Sequence, residues 1–86
     1  MFYTYVLQSI KDDQLYIGWT TDLKSRFHKH NNGLVKATKS RRPLKLIYYE
    51  ACINKEDAIQ REKALKTGYG RAYLKRRLTN IHSGLV

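Results

Sequence analysis

Cysteine, proline, acidic side chains and long apolar runs are all scarce in these 86 residues, and each scarcity excludes something. Cys52 is the single cysteine, so no internal disulfide can form, and a reducing compartment fits best. It sits in an apolar stretch, where a small buried hydrophobe is the simpler reading than a nucleophile. No apolar run approaches the ~20 residues that span a bilayer. The opening MFYTYVLQ lacks the basic n-region of a signal peptide, so the expected location is cytoplasmic. There is no linker, repeat or low-complexity segment, and the length suits one domain over residues 1–86. Acids are the scarcity with the largest consequence. Seven Asp and Glu face seventeen Lys and Arg, a formal net charge of +10. So large a surplus on so short a chain projects a positive field, whose usual partner is a polyanion such as DNA or RNA.

What is present reads as alternating strands and helices. Phe2 to Gln8 is rich in aromatic and β-branched residues and predicts a strand; Lys11-Asp12-Asp13 turns the chain into a second, Gln14 to Trp19. Thr21 or Asp22 caps a helix reaching about Asn31, which Asn32-Gly33 stops. A basic loop, Leu34 to Arg42, leads through Pro43 to a third strand, Leu44 to Ala51. Asn54, with Asp57 as an approximate capping box, starts a second helix that runs to about Lys66 and ends at Gly68. A short basic helix follows from Arg71 to Leu78. The order β-β-α-β-α-α predicts an α+β domain, a small and mainly antiparallel three-stranded sheet flanked by helices.

Several polar residues fall on faces that these elements should bury. Leu23, Arg26, Phe27 and His30 share one helical stripe, and Ala58, Ile59, Glu62 and Leu65 share another. A carboxylate on such a stripe is costly unless it is paired or binds a metal. If the hairpin places Tyr5 opposite Tyr16, then Tyr3, Tyr5, Leu7, Tyr16 and Gly18 line one sheet face, and Val6, Leu15, Ile17 and Trp19 the other. Gly18 then marks a bulge or a place where a ligand or another backbone comes close. Taken singly, each residue has a plain structural role: sheet aromatics for Tyr5 and Tyr16, one ion pair for Arg26 and Glu62, a helix end for His30. Together they make a reaction-capable set.

That set has a recognisable order. Tyr3-Thr4-Tyr5, followed eleven residues after Tyr5 by Tyr16-Ile17-Gly18, resembles the paired strand motifs of the GIY-YIG nuclease superfamily. The likeness continues through Thr21-Asp22-Leu23-Lys24-Ser25-Arg26 with His30, then Arg61-Glu62, and covers nearly the whole chain. It is similar to the small stand-alone bacterial members, related to the nuclease domain of the excision-repair enzyme. The resemblance implies an endonuclease that hydrolyses phosphodiester bonds in nucleic acid, with DNA the expected substrate and repair or processing the expected setting. It also implies one divalent cation, Mg²⁺ or Mn²⁺, and no organic cofactor or membrane partner. By matching position, Glu62 is the implied metal ligand and Arg26 the implied phosphate-binding arginine. Tyr5 and Tyr16 match the motif tyrosines, one of which activates water, and His30 matches the residue one turn after the arginine. The sequence departs from the pattern in its first triplet, Tyr-Thr-Tyr, and at Trp19, where the excision-repair branch carries a lysine.

Substrate grip is expected from two basic groups. Lys36, Lys39, Arg41 and Arg42 precede the third strand; Lys63, Lys66, Arg71, Lys75, Arg76 and Arg77 cluster towards the C-terminus. Tyr69 and Tyr73 interleave with the second group and could stack on unpaired bases. The alternative function is a non-catalytic DNA- or RNA-binding module that keeps the nuclease fold.

Overall fold

A computed structural model describes residues 1–78, so residues 79–86 of the expected domain lie outside the described residues. The elements run β1 (Phe2–Ser9), β2 (Leu15–Thr20), α1 (Leu23–Asn31), a short 3-10 turn at Lys39–Arg41, β3 (Leu44–Cys52), α2 (Lys55–Leu65) and α3 (Gly68–Arg77). The strands form one antiparallel sheet ordered β2-β1-β3, with β1 at its centre. This is the α+β architecture and the element order that the sequence implies.

The sheet separates two packing layers. Tyr5 and Leu7 of β1 join Leu44 in a core that Leu23 and Phe27 of α1 cover. On the other face, Val6 and Ile17 pack against Leu65 of α2 and Leu74 of α3. Alternation along β1 therefore sends odd residues towards α1 and even residues towards α2 and α3. No described helix is long and apolar enough to cross a membrane.

Three details differ from the sequence reading. Tyr5 lies opposite Gly18, and Tyr16 opposite Leu7, a slip of two residues from the expected pairing. An even slip leaves the side chains on their expected faces. The reason is steric: a Cβ on Gly18 would lie 2.7 Å from the Tyr5 hydroxyl oxygen, so only glycine lets that ring lie across β2. Gly68 does not terminate α2; it is the first residue of α3, with the Thr67 side chain capping Gly70 N–H. Gly70 lies within α3 because its missing side chain lets the backbone close on Leu65, where a Cβ would sit 2.3 Å from the Leu65 Cα. Asn54 occupies the N-cap of α2, but its side chain makes no capping bond to the backbone. Its amide instead donates to Asp57 at 3.5 Å.

The end of α1 is held with particular care. Asp22 accepts from Ser25 N–H at the start. At the other end Gly33 takes a left-handed φ of 76°, with Gly33 N–H bonded to His30 O and Leu34 N–H to Lys29 O. Asn31 then clamps β3: its amide donates to Leu44 O at 2.9 Å and its oxygen accepts from Leu44 N–H at 2.8 Å. The residue between these restraints is His30.

Candidate functional site

The site lies at the free edge of the sheet, where β2 has no further strand beside it. Tyr5 is 1% exposed and its hydroxyl lies 2.7 Å from His30 Nε2. His30 is fully buried, and its other ring nitrogen, Nδ1, lies 2.8 Å from Thr38 Oγ1. The Tyr16 ring packs on the same imidazole, with centroids 4.9 Å apart, and stands 6.3 Å from the Tyr5 ring. Arg26, one turn before His30, turns its half-buried guanidinium towards both phenols. The tightest bond of Tyr5 is the one to His30.

Glu62 approaches from the opposite layer. Its side chain is 18% exposed and accepts from Lys66 Nζ at 3.2 Å, one turn along α2. Its charge reaches Tyr5 and opposes ionisation of that phenol. The structure thus brings Tyr5, Tyr16, Arg26, His30 and Glu62 into one neighbourhood, with the Tyr5 hydroxyl lying against the bare backbone of Gly18. Arg26 and Glu62 do not form the ion pair that was the plain alternative. Among the described residues no carboxylate lies within salt-bridge distance of Arg26, and Glu62 is met only by the exposed end of a lysine.

The electrostatics follow from these positions. Burial pushes the Tyr5 phenol above its ordinary value, against the pull of Arg26. The Tyr5 hydroxyl in turn raises the pKa of Arg26. Burial, and then the Arg26 charge, pull His30 down from 6.5 to about 4, so it is a neutral imidazole at physiological pH. A neutral ring brings no positive charge to the phenols beside it.

Around this centre the basic residues divide. Lys36, Lys39 and Arg42 are exposed on the loop after α1, and Lys63, Lys66, Arg71, Lys75, Arg76 and Arg77 are exposed on α2, α3 and the bend between them. Arg41 is different: its side chain is 24% exposed and tied to Asp12 at 3.3 Å. Two open cavities flank the site. One, of about 290 Å³, is lined by Tyr16, Ile17, Leu65, Lys66 and Arg71; another, of about 330 Å³, by Trp19, Ser25, Arg26 and Lys29. Tyr69 is 90% exposed and free to stack. Tyr73 is not: its ring lies under Arg61 and its hydroxyl meets Tyr48 at 2.9 Å. Cys52 is half-buried at the end of β3 rather than deep in the core.

Two further polar residues escaped the sequence reading. Thr38 lies in an aperiodic loop that gives no pattern to judge it by. Glu50 alternates along β3 like any solvent-facing strand residue, yet it is half-buried and bound by Arg61 Nε at 2.9 Å and by the Tyr48 hydroxyl at 2.6 Å. A carboxylate with two such donors is satisfied within the fold. Among the described residues, no three His, Cys, Asp or Glu side chains gather as a ready-made metal cage.

Comparison with known proteins identifies the family. The family described as the GIY-YIG catalytic domain matches residues 1–82. A UPF0213 protein of Clostridium perfringens is 46% identical over 67 residues, covering 77% of this chain and 71% of its own length. UPF0213 proteins of Staphylococcus saprophyticus and Staphylococcus haemolyticus are 44% and 42% identical over 66 residues, each match covering 76% of this chain and 79% of the relative. No solved structure matches the chain. With the match running through both tyrosine strands, the arginine helix and the glutamate helix, the chain belongs to the GIY-YIG nuclease domain family.

Proposed function

We propose that this chain is a metal-dependent endonuclease that hydrolyses phosphodiester bonds in nucleic acid, with DNA as its substrate and repair or processing of damaged or branched strands as its setting. The observation that carries the proposal is the convergence of Tyr5, Tyr16, Arg26, His30 and Glu62 at the β2 edge, with Arg26 and Glu62 left unpaired to each other. Among the described residues no carboxylate lies within salt-bridge distance of Arg26, and Glu62 meets only the exposed end of Lys66.

The residues fit a divalent cation. Glu62 is a lone, half-buried oxygen donor whose present partner is the flexible end of Lys66, 55% exposed and readily displaced. A single carboxylate suits a hard cation that keeps most of its water, Mg²⁺ or Mn²⁺. Bound there, such an ion supplies Lewis acidity at a phosphate oxygen and stabilises negative charge on the leaving oxygen. Arg26 holds the non-bridging oxygens, its planar fork matching their geometry. Tyr5 and Tyr16 face the same space, and one of them, ionised to the phenolate, takes the proton of the attacking water as its oxygen bonds to phosphorus and the P–O bond to the leaving sugar breaks. Tyr5 is the better placed, because its hydroxyl meets His30 at 2.7 Å and the Arg26 charge pulls its pKa down. The Glu62 charge is one of the influences that hold the Tyr5 proton on, so neutralising Glu62 favours the phenolate.

Grip on the backbone belongs to the exposed Lys and Arg residues on either side, with Tyr69 available to stack on an unpaired base. We place it in the cytoplasm, where a free cysteine such as Cys52 stays reduced. The test is direct: incubate the protein with labelled single-stranded, duplex and flap DNA, and matched RNA, in Mg²⁺, Mn²⁺ or EDTA. Cleavage of DNA that EDTA abolishes is expected. Binding without cleavage in either metal would leave a nucleic-acid-binding module.

A further inference from the structure

The imidazole of His30 sits in a chain of three buried groups, and the third member has no role in the mechanism above. Thr38 is 0% exposed, and its Oγ1 lies 2.8 Å from His30 Nδ1. Its backbone is held on both sides: Thr38 N–H donates to Val35 O at 3.1 Å, and Thr38 O accepts from Arg41 N–H at 2.9 Å. The hydroxyl is therefore presented to the ring by a fixed turn rather than by a mobile loop.

A neutral imidazole carries one proton, and the two possible positions give Tyr5 opposite environments. With the proton on Nδ1, the ring donates to Thr38 and accepts from Tyr5. The buried Thr38 hydroxyl hydrogen then has no acceptor among the described residues, because His30 is the only partner its oxygen meets. With the proton on Nε2, Thr38 donates to Nδ1 and the ring donates to the Tyr5 oxygen. The Tyr5 hydrogen then turns outward. Its hydroxyl lies against the bare backbone of Gly18, and Arg26 beside it can only donate. Only this second arrangement gives every buried hydrogen a destination, since a single water on the Gly18 side can accept from Tyr5, whereas the fully buried Thr38 hydroxyl meets His30 alone.

We propose that Thr38 is a positioning residue that sets the His30 tautomer, its hydroxyl donating to Nδ1 so that the Nε2 proton is held against the Tyr5 oxygen. The imidazole donor and the nearby Arg26 charge then act on that oxygen together. This arrangement favours the phenolate and aims its lone pair at the site. The catalytic consequence rests on the nuclease reading, whereas the tautomer does not.

The tautomer is read by long-range proton–nitrogen correlation NMR on protein labelled with ¹⁵N in its histidine rings, the His30 signals being those lost in His30→Gln. Wild type and Thr38→Ser should both show the Nε2–H form at neutral pH. Thr38→Val, which keeps the shape and removes the hydroxyl, should lose that form in favour of Nδ1–H or an average of the two. An Nδ1–H ring in wild type, or an unchanged ring in Thr38→Val, would overturn the proposal. Should Thr38→Val fail to fold, the other two proteins decide: Nε2–H in both supports the assignment, and Nδ1–H in either removes it. In the cleavage assay, Thr38→Val should lower kcat by roughly tenfold or more with KM little changed, and Thr38→Ser should restore it. A chain with the expected tautomer that cuts no substrate would overturn the nuclease reading and leave the positioning role standing.

Discussion

Two clusters in this molecule are built from nearly the same residue types and are wired in opposite ways. On the α2–α3 face, Tyr48, Glu50, Arg61 and Tyr73 form a closed network. Arg61 Nε donates to both Glu50 oxygens at 2.9 and 3.0 Å, and Tyr48 donates to Glu50 at 2.6 Å. Because the Tyr48 proton is used there, Tyr73 donates to Tyr48 at 2.9 Å, and the Arg61 guanidinium stacks 4.6 Å from the Tyr73 ring centroid. Burial opposes ionisation of Glu50, but the Arg61 and Tyr48 donors outweigh it and hold the carboxyl below its ordinary range. At the β2 edge, Tyr5, Tyr16, Arg26 and Glu62 include the same types, yet the arginine and the carboxylate do not meet. One cluster has completed its bonds and staples β3 to α2 and α3. The other keeps its charges available. What marks a site is unspent bonding capacity, and a list of residue types does not show it.

The comparison breaks most sharply if matched substitutions in the two clusters behave alike. Tyr5→Phe keeps the ring and removes the hydroxyl, so the melting temperature should stay within a few degrees of wild type. The cleavage rate should fall by roughly 10²-fold or more. Tyr16→Phe should lose less, and binding measured in EDTA should change little for either. Equal rates for all three proteins would move water activation away from the phenols. The closed cluster should show the reverse pattern. Tyr48→Phe removes a donor from Glu50 and an acceptor from Tyr73, and chemical denaturation should report a loss of about 1–2 kcal/mol with the cleavage rate held within a few-fold. A large rate loss at unchanged stability would mean that the network reaches the chemistry.

A gentler contrast comes from pH. His30 binds its proton at about 4 in the folded chain, against 6.5 ordinarily, so the unfolded chain protonates first as pH falls. Its contribution to stability is complete above pH 6.5 and declines through the interval from 6.5 to about 4, at up to about 1.4 kcal/mol per pH unit. Glu50 and Asp12, whose pKa values are lowered in the fold, begin to cost stability only below the ordinary carboxylate range. Between pH 6.5 and 5 the decline should therefore belong largely to His30. Denaturation midpoints across that interval should flatten in His30→Gln. An equally steep wild-type and variant profile would show that the ring is not held neutral by burial.

How much of this was visible in the residues themselves depends on whether a pattern reports it. Period-two alternation put Tyr5, Tyr16 and Gly18 on one face, and helical spacing put Arg26 and His30 on one stripe. The register itself was out of reach, since nothing in the alternation distinguishes Tyr5 opposite Tyr16 from Tyr5 opposite Gly18; the contact of the Tyr5 ring with the glycine decides it. Gly68 looked like a helix stop because glycine favours that place, yet Thr67 two residues beyond α2 starts the next helix at once. Thr38 and Glu50 stayed hidden for different reasons. A loop residue has no period to violate, and a strand glutamate looks solvated until tertiary packing covers it.

The central claim, that open charges at the β2 edge carry function while closed ones carry structure, is tested most directly by one paired measurement. Glu62→Gln and Glu50→Gln make the same chemical change in the two clusters, and both are assayed for Mg²⁺-dependent cleavage of labelled DNA under conditions where each is fully folded. The account predicts that Glu62→Gln binds DNA at least as well as wild type but cuts roughly 10²-fold more slowly or not at all. Glu50→Gln should cut within a few-fold of wild type while unfolding at lower denaturant. Cleavage by Glu62→Gln at the wild-type rate, or selective loss of cleavage in Glu50→Gln, would contradict it.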